Sequence, residues 1–352
     1  VSEIDRGGPA GRDGNHLMQR FGWILGRLLL GLVLVGGVLY FFGPREPVDL
    51  HPRFDPRKFG EGVQVYFESI ESTFDDIVPG VEKRVVWQDG YYERRTPYSV
   101  LYLHGFSASS EEIRPVPDQV ANALGANLVY TRLQGHGRDS DAMAEATASG
   151  WMLDTAEALA AARAVGERVV VISTSTGGTL AAAAALDSEL SEDVAALVFV
   201  SPNFGVNTFA AWVPSMPWAR EWLPLLMGDA RDVSSADPEK NKYWTVIYPW
   251  EAVVPMSALV DAVYVLDFST AKVPALFWFS DDDQVVRPDR THAVAEAWGG
   301  PAAVKLVTMR PEDDPASHVI AGRLMSPGQT DAAVAGILDW LSEQGIQGQS
   351  GG

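Results

Sequence analysis

The chain has 352 residues, of which 47% are hydrophobic and 21% charged, with a formal net charge of -19 and no cysteine. A charge of this sign repels phosphate backbones and anionic headgroups, which sets aside nucleic acid as a partner and peripheral electrostatic membrane binding as a mode of attachment. The lack of cysteine excludes a disulfide framework, thiolate metal sites and a cysteine nucleophile, while the length allows one large α/β domain or two smaller ones.

Residues 1–20 are largely polar and rich in glycine, without periodicity, and read as a disordered tail. The next segment, FGWILGRLLLGLVLVGGVLYFF at residues 21–42, is apolar apart from Arg27. It matches the roughly 20 residues that cross a ~30 Å hydrocarbon core. It exceeds a usual signal-peptide apolar region, and no small-x-small cleavage site follows in FFGPREP, so the expectation is an uncleaved transmembrane anchor. Arg27 sits near its N-terminal end, where it can snorkel to the interface. Positive charges flank both sides, but a short N-terminal tail that stays in the cytoplasm would leave the bulk of the chain periplasmic or otherwise extracytoplasmic. Residues 43–59 read as a linker.

From residue 60 onward, short apolar runs alternate with helical patterns, the signature of a mostly parallel sheet with crossover helices. The strand candidates are KRVVWQ, YSVLYLHG, ANLVYTRL, RVVVIS, AALVFVS, VPALFWFS and AVKLVTM. They are continuous apolar runs, as expected of strands covered on both faces. This core takes in residues 60–204 and 273–345. Between its halves, residues 205–272 are too long for an ordinary connection and read as an inserted, mainly helical cap rich in tryptophan. Trp212, Trp218, Trp222 and Trp250 are its candidate pocket residues, suited to an apolar ligand. Residues 346–352 read as a second disordered tail.

The stretch ISTSTGG, residues 172–178, joins an apolar strand to an alanine-rich helix. A nucleophile elbow needs a strand end, a serine on a tight turn and a helix that begins at once, so that helix N–H groups face the developing oxyanion. Ser175 fits the nucleophile position, with Ser173 and Gly177 at the flanking positions where the G-x-S-x-G pattern has glycine. Ser173 as nucleophile would put Val171 at a flanking position, where a β-branched residue fits worst. LYLHGF ends a strand in His-Gly, and the N–H that follows, that of Phe106, is the candidate second oxyanion donor beside the Thr176 N–H. WFSDDDQVV ends a strand in three aspartates, Asp281, Asp282 and Asp283. Of the six histidines, His318 alone falls on a loop after these acids and the final strand. The chain order Ser, Asp, His is that of the α/β-hydrolase triad.

With LHGF, RLQGHG, the elbow, SDDDQVV and SHVIAG in place, the chain resembles the α/β-hydrolase superfamily over roughly residues 60–345. Within it, it is similar to carboxylesterases and monoacylglycerol lipase-like enzymes. The resemblance implies an α/β-hydrolase fold and selects Asp283, two residues before the β-branched pair in DQVV, as catalytic acid. It also implies that RLQGHG and the Trp-x-x-Asp stretch GWMLD are scaffold, with His136 structural. The expected activity is a serine carboxylesterase or lipase-like hydrolase that needs no cofactor, acting on a small-molecule or lipid ester. The same triad would serve a thioesterase, an amidase or an acyltransferase, and a distorted elbow would leave an inactive membrane-tethered binding protein. No metal-ligand spacing appears, and the acidic run PEDDP reads as a solvated loop.

Overall fold

The computed structural model describes residues 13–348. It divides into two compact units: one runs through Arg45 and takes in Met216–Trp218, and the other comprises Glu46–Ser215 with Ala219 onward. In the first unit, helix α1 (Asp13–Phe42) starts within the segment expected to be an irregular tail. Its stretch Arg20–Phe42 is long and apolar enough to cross a membrane, a property that signal sequences share. The remainder of the N-terminal tail expectation, residues 1–12, and residues 349–352 lie outside the described residues.

The second unit follows the alternation read from the sequence: α2 (Val63–Glu71), β1 (Arg84–Val86), β2 (Thr96–Leu103), α3 (Val116–Leu124), β3 (Asn127–Tyr130), α4 (Ala148–Val165), β4 (Gly166–Thr174), α5 (Thr176–Leu186) and β5 (Val194–Val200). The inserted segment holds α6 (Ala219–Met227), β6 (Ala230–Asp232), α7 (Pro238–Tyr243), β7 (Ile247–Pro249) and α8 (Val253–Tyr264). The core then resumes with β8 (Ala275–Phe279), α9 (Pro288–Ala297), β9 (Ala302–Leu306) and α10 (Thr330–Glu343). The sheet order is β1-β3-β2-β4-β5-β8-β9. β1 is antiparallel to β3, and every other neighbouring pair is parallel. This is the mostly parallel sheet with helices on both faces that the resemblance implied.

The continuous apolar strands have a simple cause. Successive side chains point to opposite faces, and both faces are covered. Leu101, Leu103, Val169 and Val171 join the core built with Leu159 of α4, Leu180 of α5 and Leu259 of α8. Val100, Tyr102, Val170 and Ile172 join the opposite core, with Val120 of α3 and Ile337 of α10. Two boundaries differ from expectation. Helix α8 lies in the sequence range of the insertion yet packs into the core with α5, because Val253, Val254, Leu259, Val260 and Val263 make it apolar around much of its circumference. Ile346 is buried beside α3 and α10, so ordered chain extends into the segment expected to be the C-terminal tail.

Candidate active site

Parallel strands deliver their C-terminal ends to one edge of the sheet, and ligands of such folds bind there. Four serines at that edge have positive φ: Ser107 after β2 (60°), Ser175 after β4 (50°), Ser201 after β5 (44°) and Ser317 (54°), beside His318. Non-glycine residues avoid this region, and such strain concentrates at functional sites.

Ser175 has φ 50° and ψ -118°, and α5 begins at the next residue. Its backbone is held firmly: its N–H donates to the Val200 carbonyl at 3.1 Å, and its own carbonyl accepts from Gly178 at 2.9 Å and from Asn203 at 2.9 Å. The second flanking position must be glycine, since a Cβ on Gly177 would lie 2.2 Å from the Leu103 carbonyl oxygen of β2. The first need not be. Ser173 is a regular residue of β4, fully buried, and its hydroxyl donates to the Val198 carbonyl at 3.2 Å. Its departure from glycine therefore leaves the turn undistorted. Among the described residues, the Ser175 hydroxyl has no hydrogen-bond partner. The Phe106 and Thr176 N–H groups also lack acceptors among the described residues, so both remain available to an incoming oxygen. Gly105 brings its loop close to the elbow, for a Cβ there would stand 3.0 Å from Ser175 Cβ.

Asp283 and His318 meet directly, Nδ1 to Oδ2, at 2.8 Å. The spacing of DQVV has a visible cause. Asp283 Oδ1 accepts the Val285 and Val286 N–H groups at 2.8 and 2.9 Å, which fixes the carboxylate and leaves Oδ2 for the imidazole. Ser175, Asp283 and His318 are 6%, 4% and 7% exposed, so the group is almost covered. Burial disfavours a charged imidazole, but Asp283, Glu112 and Asp314 outweigh it and hold the His318 pKa above its ordinary value.

The supporting loops explain further motifs. The Trp151 indole N–H donates to the Gln134 carbonyl at 2.9 Å, and Asp154 accepts the Gln134 N–H at 2.6 Å, so GWMLD clamps RLQGHG. His136 is buried against Phe106 and Trp151, and His104 is spent between the Gly105 carbonyl and the Leu133 N–H. The four tryptophans do not share one environment. Trp212 and Trp218 are 57% and 43% exposed, and Trp218 falls with the N-terminal unit. Trp222 and Trp250 are half-buried against the core that contains α5 and α8. The inserted segment also reaches the loop after β2: Thr245 N–H donates to the Ser107 carbonyl at 2.7 Å, and Tyr248 packs edge-on against Phe106.

Sequence reasoning missed buried acids in two places. PEDDP is only in part a solvated loop: Pro311, Glu312 and Pro315 are exposed, but Asp313 and Asp314 are 4% and 5% exposed. Asp314 accepts the N–H groups of His318 and Val319 at 3.1 and 2.8 Å, and so shapes the histidine loop. Asp313 accepts from the Arg310 N–H and the Gln329 amide. Glu112 is the second miss, a buried carboxyl whose Oε2 accepts the Gly105 N–H at 2.7 Å. A run of adjacent acids gives no sign of burial, and only the proline at each end of PEDDP points to a fixed turn.

Comparison with known proteins agrees with this architecture. Residues 100–342 match the alpha/beta hydrolase family. The thermostable monoacylglycerol lipase of Bacillus sp. (strain H-257) is 25% identical over 200 residues, 56% of this chain and 75% of that protein. Among solved structures, one from the pair of metagenome-derived lipolytic enzymes LipS and LipT aligns with TM-score 0.59 at 19% identity, covering 76% of this chain and 99% of that one. A soluble variant of monoglyceride lipase from Saccharomyces cerevisiae aligns with TM-score 0.56 at 13% identity, covering 77% and 97%. The match spans well over half of the chain and includes the elbow, DQVV and the histidine loop: the chain belongs to the α/β hydrolase family and is similar to monoacylglycerol lipases.

Proposed function

We propose that the protein hydrolyses carboxylic esters of apolar acyl groups through a Ser175–His318–Asp283 triad and an acyl-enzyme. The observation that carries this reading is the strained Ser175 elbow at the same sheet edge as the hydrogen-bonded Asp283–His318 pair. His318 Nε2 takes the Ser175 proton as Oγ attacks the ester carbonyl, and Asp283 holds the proton on Nδ1 and stabilises the imidazolium. The Phe106 and Thr176 N–H groups receive the oxyanion. The alcohol leaves with the proton from His318, and water, deprotonated by His318, then releases the acid. No step calls for a cofactor.

The acyl preference is supported by the lipolytic relatives and by Trp222 and Trp250, the two tryptophans of the inserted segment that pack against the core. The apolar helix Arg20–Phe42 serves in this reading as a membrane anchor, with the hydrolase unit on the extracytoplasmic side and its substrates drawn from the bilayer. The test is turnover of p-nitrophenyl esters of graded acyl length by the full chain in detergent. Activity that rises from acetate toward longer acyl groups is expected. Turnover confined to acetate would overturn the apolar preference, and none on any ester would overturn ester hydrolysis itself.

The elevated His318 pKa adds a prediction. The base works only when neutral, so kcat/KM should fall as the pH drops through a value above the ordinary 6.5 of imidazole. A pH–rate profile of the full chain checks it. An acid limb centred below 6.5 would contradict the described surroundings of His318.

A further inference from the structure

Glu112, in the loop after β2, is 2% exposed. Its neighbour Glu111 pairs with Arg114 and Arg323, whereas Glu112 forms no ion pair among the described residues. Burying a carboxyl without a cation is costly, and here the costly group stands behind the reacting serine. Oε2 accepts the Gly105 N–H at 2.7 Å and the Tyr102 hydroxyl at 2.9 Å. Tyr102 has a single hydroxyl proton, so at 3.1 Å it accepts in turn from Thr174 Oγ1, on the residue before the nucleophile. Oε1 lies 2.7 Å from where a Cβ on Gly105 would stand, the same point that is 3.0 Å from Ser175 Cβ. Glu112, with Tyr102, thus joins the loop that carries the Phe106 N–H to the strand end that carries Ser175.

We propose that Glu112 is a positioning residue for acyl transfer: it ties the Phe106 loop to the nucleophile elbow and, when ionised, places a second negative charge behind the His318 imidazolium. This rests on the triad reading above. The groups facing Glu112 are Tyr102 of β2 with Tyr130 behind it, Thr174 at the end of β4, and His318 from the loop after β9. His318 in turn faces Asp283 and Asp314 besides Glu112. Burial pushes the Glu112 carboxyl up to about 7, against the pull of the Gly105 N–H, Tyr102 and His318, so its charge changes in the range where the enzyme works.

The test is the pH dependence of kcat/KM and kcat on a p-nitrophenyl ester for wild type, Glu112→Gln and Tyr102→Phe, with Ser175→Ala in parallel. Glu112→Gln removes the charge and keeps an acceptor, so the acid limb should move to lower pH by about half a unit. Its kcat should fall about tenfold with KM little changed, less than the 10²–10³ typical of losing an oxyanion donor itself. Tyr102→Phe cuts the link to Thr174 and removes one of the donors that favour the Glu112 charge, so it should lower kcat and move the limb in the same direction as Glu112→Gln, by less. A folded Glu112→Gln with wild-type limb and kcat overturns the proposal while Ser175→Ala, if inert, leaves the triad standing. Should Glu112→Gln not fold, a wild-type kcat in Tyr102→Phe overturns the tie. Activity retained by Ser175→Ala would sink the triad reading instead.

Discussion

Replacing Ser175 by alanine should lower kcat by about 10⁶-fold, as in other triads whose nucleophile is removed. The argument is local. Ser175 sits at φ 50° because its N–H and carbonyl are tied to Val200, Gly178 and Asn203, and none of these bonds involves its side chain. Alanine inherits the same backbone, so the fold should survive with a melting temperature within about 4 °C of wild type, on the order of 1 kcal/mol or less. Ser173→Ala is the matched control: that hydroxyl is fully buried and donates to the Val198 carbonyl. It should alter stability slightly and spare kcat. Hydrolysis of p-nitrophenyl esters beside thermal melts checks both.

Asp283→Asn should lower kcat by about 10⁴-fold near neutral pH, the scale seen when a triad aspartate becomes an amide. The direction follows from the hydrogen bonds around it. Oδ1 receives two backbone N–H groups, from Val285 and Val286, so the single amide oxygen is drawn to that side. The NH₂ then faces His318 Nδ1, which must accept. The ring proton is forced onto Nε2, the atom that has to take the serine proton. Steady-state rates give the loss, and substrate KM should change far less than kcat. A loss under about tenfold would mean that Asp283 neither orients nor stabilises His318.

Much of the site was legible because its determinants are local. A strand end, a serine and a helix start lie within seven residues at ISTSTGG, and Gly177 is required by the backbone of β2. The inner strands β2, β3, β4, β5 and β8 were readable as apolar runs because both faces of the sheet are covered there, while β9 at the edge is largely exposed. What the sequence hid depends on contacts across the fold. Glu112 is buried against Tyr102 of β2, 10 residues before it, and Tyr102 in turn meets Thr174 of β4, 72 residues further along the chain. Asp314 is buried because the loop it starts folds back over its own carboxylate. Helix α8 was assigned to the cap by its place between two core segments, yet its apolar circumference is that of a core helix. Ile346 was masked by the polar, Gly-rich residues that follow it.

The central claim is that Ser175 is the nucleophile, activated by His318. The most direct measurement treats the full chain with a fluorophosphonate and locates the adduct by peptide mass spectrometry, with His318→Ala in parallel. The account predicts one phosphonylated residue, Ser175, in the wild type and strongly slowed labelling in the variant. An adduct on Ser173 or elsewhere, or no adduct in protein that hydrolyses esters, would contradict it.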